Sequence, residues 1–132
     1  MTDAKYGITK SLGKVDFNEA IEKVTAALKV EGFGVLTEID VKATLKKKLD
    51  VDFRQYKILG ACNPPLAHQS LSADLMIGLL LPCNVVVFEE DDASITVSAI
   101  DPVAMFSVVD RPDVAPLADQ VGAKLTRAIE AL

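Results

Sequence analysis

The chain is poor in the residues on which most recognisable chemistry is built. Among 132 residues there is no tryptophan, one histidine and two cysteines. No CxxC or HxxxH spacing connects them, so the usual zinc-ligand patterns are absent. There is no phosphate-binding P-loop, no glycine-rich dinucleotide fingerprint and no serine elbow, and Gly32-Phe33-Gly34 reads as a helix stop followed by a strand. The start, Met1-Thr2-Asp3-Ala4-Lys5-Tyr6-Gly7, lacks the apolar core of a signal peptide. The longest apolar stretch, Leu75 to Phe88, is broken by Gly78, Pro82 and Asn84, and is shorter than the ~20 residues a membrane span requires. Positive charge is also in deficit: the formal net charge is −5, which argues against general affinity for phosphate backbones or anionic lipid. The expectation is a cytoplasmic protein with reduced thiols, no cofactor, and neither nucleic acid nor membrane as a partner.

Half of the residues are hydrophobic and a quarter are charged, a globular composition. The length suits one domain over 1–132, able to bury roughly two-thirds of its unfolded surface. A strand is expected around Tyr6 to Ser11. Asp16 then caps a helix, with Glu19 at capping-box distance. Phe17, Ala20, Ile21, Val24, Ala27 and Leu28 give that helix an apolar face, and Gly32 ends it. Gly34 to Ile39 alternates as a strand, and Asp40 caps a short helix through Leu49. Tyr56 to Cys62 is a third strand. Asn63 caps a helix to Ser72, with Pro64 at its first position. The apolar stretch is read as a strand from Ile77 to Glu89 interrupted near Pro82. It forms a hairpin with Ser94 to Ile100 across Asp91-Asp92-Ala93. Asp101-Pro102 starts a helical turn through Phe106. A long amphipathic helix runs from Val114 to Leu132, with Pro116 in its first turn.

Strands clustered between two long helices favour an α+β fold over a doubly wound α/β one. The expected architecture is a curved, mostly antiparallel sheet with both long helices on one face. Its other face is too apolar to be left wet, so self-association is the natural solution.

The most distinctive feature is a pair of Cys-Asn dipeptides, in Gly60-Ala61-Cys62-Asn63-Pro64 and Leu81-Pro82-Cys83-Asn84-Val85. Cys62 precedes a helix N-terminus, where backbone N–H groups favour a thiolate. Cys83 follows a proline that marks a bulge or an edge. Asn63 and Asn84 can each donate and accept hydrogen bonds. If both dipeptides share one end of the sheet, Cys62, Asn63, Cys83 and Asn84 become ligand-binding candidates, with His68 as an accessory. The simpler account is two buried thiols acting as small apolar groups, with asparagines capping backbone ends. No metal is assigned to this set, and an exposed helix histidine is the plain alternative for His68. Lys42, Lys46, Lys47, Lys48, Arg54 and Lys57 form either an anion-binding patch or a solvated face offset by Asp50 and Asp52. Glu89-Glu90-Asp91-Asp92 lacks the alternation of a calcium loop and reads as a soluble turn. Asp101 reads as an N-cap.

Several blocks resemble the bacterial and archaeal family known as domain of unknown function 302. They are Glu31 to Val41, Tyr56 to Pro64, Gly78 to Val87 and Ala99 to Pro102, and the resemblance covers nearly the whole chain. It implies a fold similar to the TATA-binding-protein class (strand, helix, four strands, helix) and a compact homodimer. It implies no activity, so no catalytic residue is carried over.

Three functions follow as expectations. The first is a homodimeric small-molecule-binding module with its site near the Cys-Asn pairs. The second is a thiol-active protein, transferring sulfur or sensing oxidants through Cys62 or Cys83. The third is a structural or assembly role alone.

Overall fold

Five strands form one antiparallel sheet in the computed structural model, which describes residues 4–132. They are β1 (Gly7–Gly13), β2 (Gly34–Asp40), β3 (Tyr56–Cys62), β4 (Cys83–Glu89) and β5 (Ile95–Ile100), in the spatial order β1-β5-β4-β3-β2. The helices are α1 (Phe17–Val30), α2 (Val41–Leu49), α3 (Pro64–Ala73), α4 (Pro102–Phe106) and α5 (Ala115–Glu130). This is the expected α+β order of strand, helix, four strands and helix, with short helical inserts.

Local chemistry sets most boundaries. The Asp16 carboxylate accepts from the Glu19 N–H at 2.9 Å, and α1 ends before Gly32, whose φ of +86° suits glycine. Asp40 caps α2 and Asp101 caps α4 in the same way. Pro116 sits within the first turn of α5, where no backbone donor is lost.

One stretch departs from expectation. Leu75–Leu80 is a short 3₁₀ helix rather than the first part of a strand, and β4 begins only at Cys83. Asp74 supplies the reason, its carboxylate accepting from the Met76 N–H at 3.0 Å. The apolar residues there do not alternate. Ile77 turns inward onto Phe106, Val114 and Ala118, while Leu75, Met76 and Leu79 remain exposed.

Alternation along the strands divides the sheet into two unlike faces. Leu59 of β3, Val85 and Val87 of β4, and Val97 of β5 are fully sealed beneath Val24 and Leu28 of α1 and Leu125 of α5. Each such side chain contributes about 1.5–3 kcal/mol of burial. Lys10 of β1 also points to this side, and its ammonium escapes to the end of α5, donating to the Glu130 and Leu132 carbonyls. The two long helices therefore share one face, as the apolar periodicity implies.

The other face is uncovered, and α2, which buries no residue, does not close it among the described residues. None of the strand positions that alternation and register assign to it carries a charge. Both tyrosines and two of the five phenylalanines gather on it. The Tyr56 and Phe88 rings stack at 5.3 Å, Phe53 lies 6.3 Å from Tyr56, and Tyr6 is 65% exposed. Burial first, and the nearby Tyr6 second, push the Tyr56 hydroxyl above its ordinary pKa.

The β3–β4 register depends on Gly60. A Cβ there would overlap the Thr37 hydroxyl and come within 2.9 Å of the Pro82 ring. We expect Gly60→Ala to lower stability by about 2–3 kcal/mol, through the overpacking this contact forces, as a drop in the urea midpoint. An unchanged midpoint would show that the close approach does not constrain the register.

Candidate functional site

Register brings the two Cys-Asn dipeptides together. Gly60 pairs with Asn84 and Ala61 with Cys83, so both motifs occupy the same end of adjacent strands. The Leu81–Pro82 peptide is cis, and its ring packs over Gly60 as the chain enters β4.

Three of the five candidate residues share a cavity. Cys62, Asn63 and Cys83 line it together with Leu66, Phe106 and Val121. Its volume is about 30 Å³, room for one or two waters. Cys83 is buried and Cys62 half-buried, and both are free thiols. His68 is exposed on α3 and does not line the cavity. Asn84 faces the other way, onto the uncovered side of the sheet, because strand neighbours alternate. Among the described residues no group of three His, Cys, Asp or Glu side chains is placed to hold a metal ion.

The start of α3 does not offer Cys62 the donors expected there. Pro64 and Pro65 occupy its first two positions and have no N–H. The Leu66 N–H is taken by the Asn63 side-chain oxygen at 3.4 Å, and the Ala67 N–H by the Asn63 carbonyl at 2.9 Å. The first turn of α3 therefore has no backbone donor left over to hold a thiolate. Cys83 is less available still. Burial, with the neighbouring Cys62 adding to it, raises its thiol from an ordinary 9.0 to about 11.

Asn63 has a clear architectural role. It caps α3 through its side-chain oxygen and donates its amide to the Glu31 carbonyl at the end of α1, at 3.4 Å. Glu31 in turn accepts from Arg127 of α5 at 2.9 Å. One buried asparagine thus ties the start of one helix to the end of another.

The remaining charged candidates resolve as ordinary surface chemistry. Lys46 pairs with Asp50 at 3.0 Å and with Asp52 at 3.6 Å. In the acidic turn, Asp92 accepts from the Ser94 hydroxyl and N–H, which lowers its pKa, and Asp91 pairs with Arg54 at 2.8 Å. Asp101 accepts from the Val103 N–H at 3.0 Å as an N-cap.

Sequence reasoning missed a different grouping, on the uncovered face. Tyr6, Gly7, Asn84, Val86, Ser98 and Ile100 line a shallow depression of about 120 Å³. Ser98 and Thr9 share a hydroxyl hydrogen bond of 2.7 Å at its floor. The available signal was the alternate-residue pattern of β4 and β5, read together with the β1–β5 pairing that sequence does not announce.

An α+β chain with a five-stranded antiparallel sheet, two long helices on one face and Cys-Asn motifs at neighbouring strand ends defines the class. The chain belongs to the family described as domain of unknown function DUF302, whose profile matches residues 8–132. It is similar to an uncharacterised conserved DUF302 protein from Bacillus stearothermophilus, known from a crystal structure. The identity is 30%, with 96% of this chain and 98% of that one covered, and the TM-score is 0.87. No curated protein matches the chain. Among the described residues, no helix is long and apolar enough to cross a membrane.

Two measurements test the site's architecture. Asn63→Ala should cost about 1–2 kcal/mol through loss of the cap, while Asn63→Ser, which keeps a cap oxygen but not the link to Glu31, should fall between it and the parent. Equal losses would mean the link contributes nothing. Because the folded-state pKa of Cys83 is raised, its contribution is intact below the unfolded value of 9.0 and lost as pH rises toward about 11. Denaturation should therefore show a decline over that window, of about 2–3 kcal/mol, that Cys83→Ala lacks. Parallel pH profiles would contradict it.

Proposed function

We propose that this protein is a homodimeric binding module in which two copies pack their uncovered sheet faces together. The observation that carries the reading is that no strand residue of this aromatic-rich sheet face is charged; among the described residues, acidic side chains reach it only at the Thr96 corner, where Glu90 of the β4–β5 turn accepts from the Thr96 hydroxyl at 2.8 Å. Interface cores are depleted in charge and enriched in aromatics. Strand residues without charge suit an equally uncharged partner, and a second copy supplies one by symmetry. The area supports the same reading. Five strands spaced about 4.8 Å apart and about 20 Å long present roughly 500 Å² of sheet per copy. A symmetric pair then encloses roughly 1,000 Å², the size at which specific interfaces begin.

A role for the Cys62–Cys83 cavity as the ligand site has less support, since it has room for only one or two waters. Thiol chemistry has less support as well, because Cys83 is sealed and the first turn of α3 has no spare donors. The two free thiols fit a reducing, cytoplasmic setting.

Sedimentation equilibrium tests the dimer. The parent chain should sediment at twice its own mass, with little dependence on salt because the strand residues of the face are uncharged. Val86→Glu places a carboxylate at the centre of the face and should weaken association at least a hundredfold (about 3 kcal/mol or more), with the helical circular dichroism retained. A parent that stays monomeric at high micromolar concentration would overturn the reading.

A further inference from the structure

The Asn84 side of the uncovered face carries polar groups that a dimer of this kind would have to satisfy. The Asn84 amide and the Tyr6 hydroxyl have no hydrogen-bond partner among the described residues. Both border the depression of about 120 Å³, whose apolar floor is Val86 and Ile100. The Ser98 hydroxyl opens into it, and its bond to Thr9 leaves it further hydrogen-bonding capacity. Gly7 keeps that hydroxyl clear, because a Cβ there would stand 2.6 Å from the Ser98 oxygen.

In one copy these groups face water. Beneath a second copy they would be buried, and an amide left unpaired in such a place is strongly disfavoured. The hollow is several times the volume of one water, and closing it over would create the small, mostly apolar site with few polar groups that ligands occupy.

We infer that this depression, closed by the second copy, is a binding site for a small uncharged molecule whose polar head both donates and accepts hydrogen bonds, such as a primary amide or a phenol. Asn84, Tyr6 and Ser98 hold the head, and the apolar remainder lies on Val86 and Ile100. Among the described residues no acidic or basic side chain lines the hollow, so a charged head would be desolvated without a counter-charge from them. This inference rests on the face-to-face dimer proposed above.

An isosteric series tests it. Benzamide, benzoate and benzamidinium are titrated into the full chain while the side-chain amide signals of Asn84 are followed by nitrogen-edited NMR. Benzamide should give a saturable shift, and the two ions should bind at least tenfold more weakly. Asn84→Leu, an exposed change that leaves the core alone, is followed through the backbone amide signals of Gly7 and Ser98, which also line the hollow; it should abolish their saturable benzamide shift, and Tyr6→Phe should weaken binding severalfold. Equal binding of all three probes, an unmoved Asn84 signal, or undiminished binding by Asn84→Leu would overturn the site. Sedimentation of the same samples separates the two proposals: a dimer that ignores benzamide removes the site alone, and a monomer removes both the dimer and the closed site.

Discussion

The register between β3 and β4 is the constraint on which the rest of the molecule depends. Gly60 lies where Thr37 and the Pro82 ring close in from the neighbouring strand and loop. Pairing Gly60 with Asn84 also pairs Ala61 with Cys83. A slip of one residue would turn every side chain of β4 to the opposite face. Val85 and Val87 would then meet water, and Val86 and Phe88 would be forced against the helices. The Cys-Asn motifs are distinctive because they sit at this locked end.

The chemical appearance of those motifs and their physical role differ. Two thiols, two asparagines and a nearby histidine suggest a reactive cluster. The fold separates them by the alternation of strand residues and the turning of a helix. Asn63 goes inward to join α1 and α3, and His68 goes to solvent. Asn84 goes to the uncovered face, while the thiols stay beside a hollow with room for one or two waters. The result is a well-packed junction with one polar residue, Asn84, exposed on the opposite surface.

Two surfaces of one sheet thus have different chemistries for a single reason. The helix-facing residues of the central strands are small and branched, and pack under α1 and α5. The outward residues are uncharged but include hydroxyls, an amide and aromatic rings. That mixture is too apolar for an exposed sheet and too polar for a dry helix-packed core. It suits a face that can be covered by a similar face and still retain some hydrogen-bonding work.

Much was legible from the residues alone, for local reasons. Asp16, Asp40, Asn63 and Asp101 each announce a helix start, because a short acceptor side chain caps the N–H groups two or three residues ahead. The apolar stripes of α1 and α5 announce which sides are buried. The 3₁₀ turn at Leu75–Leu80 was not legible, since its apolar residues, interrupted only by Gly78, show no period that distinguishes a strand from a tight helix. The composition and the local periodicity determined the elements, their caps and the covered side of each. Only the tertiary structure decided that β1 lies beside β5, that Asn63 and Asn84 point apart, and that Tyr6 overhangs a hollow beside Ser98. Those facts depend on which distant strands pair and in what register, a choice made by packing the whole sheet at once.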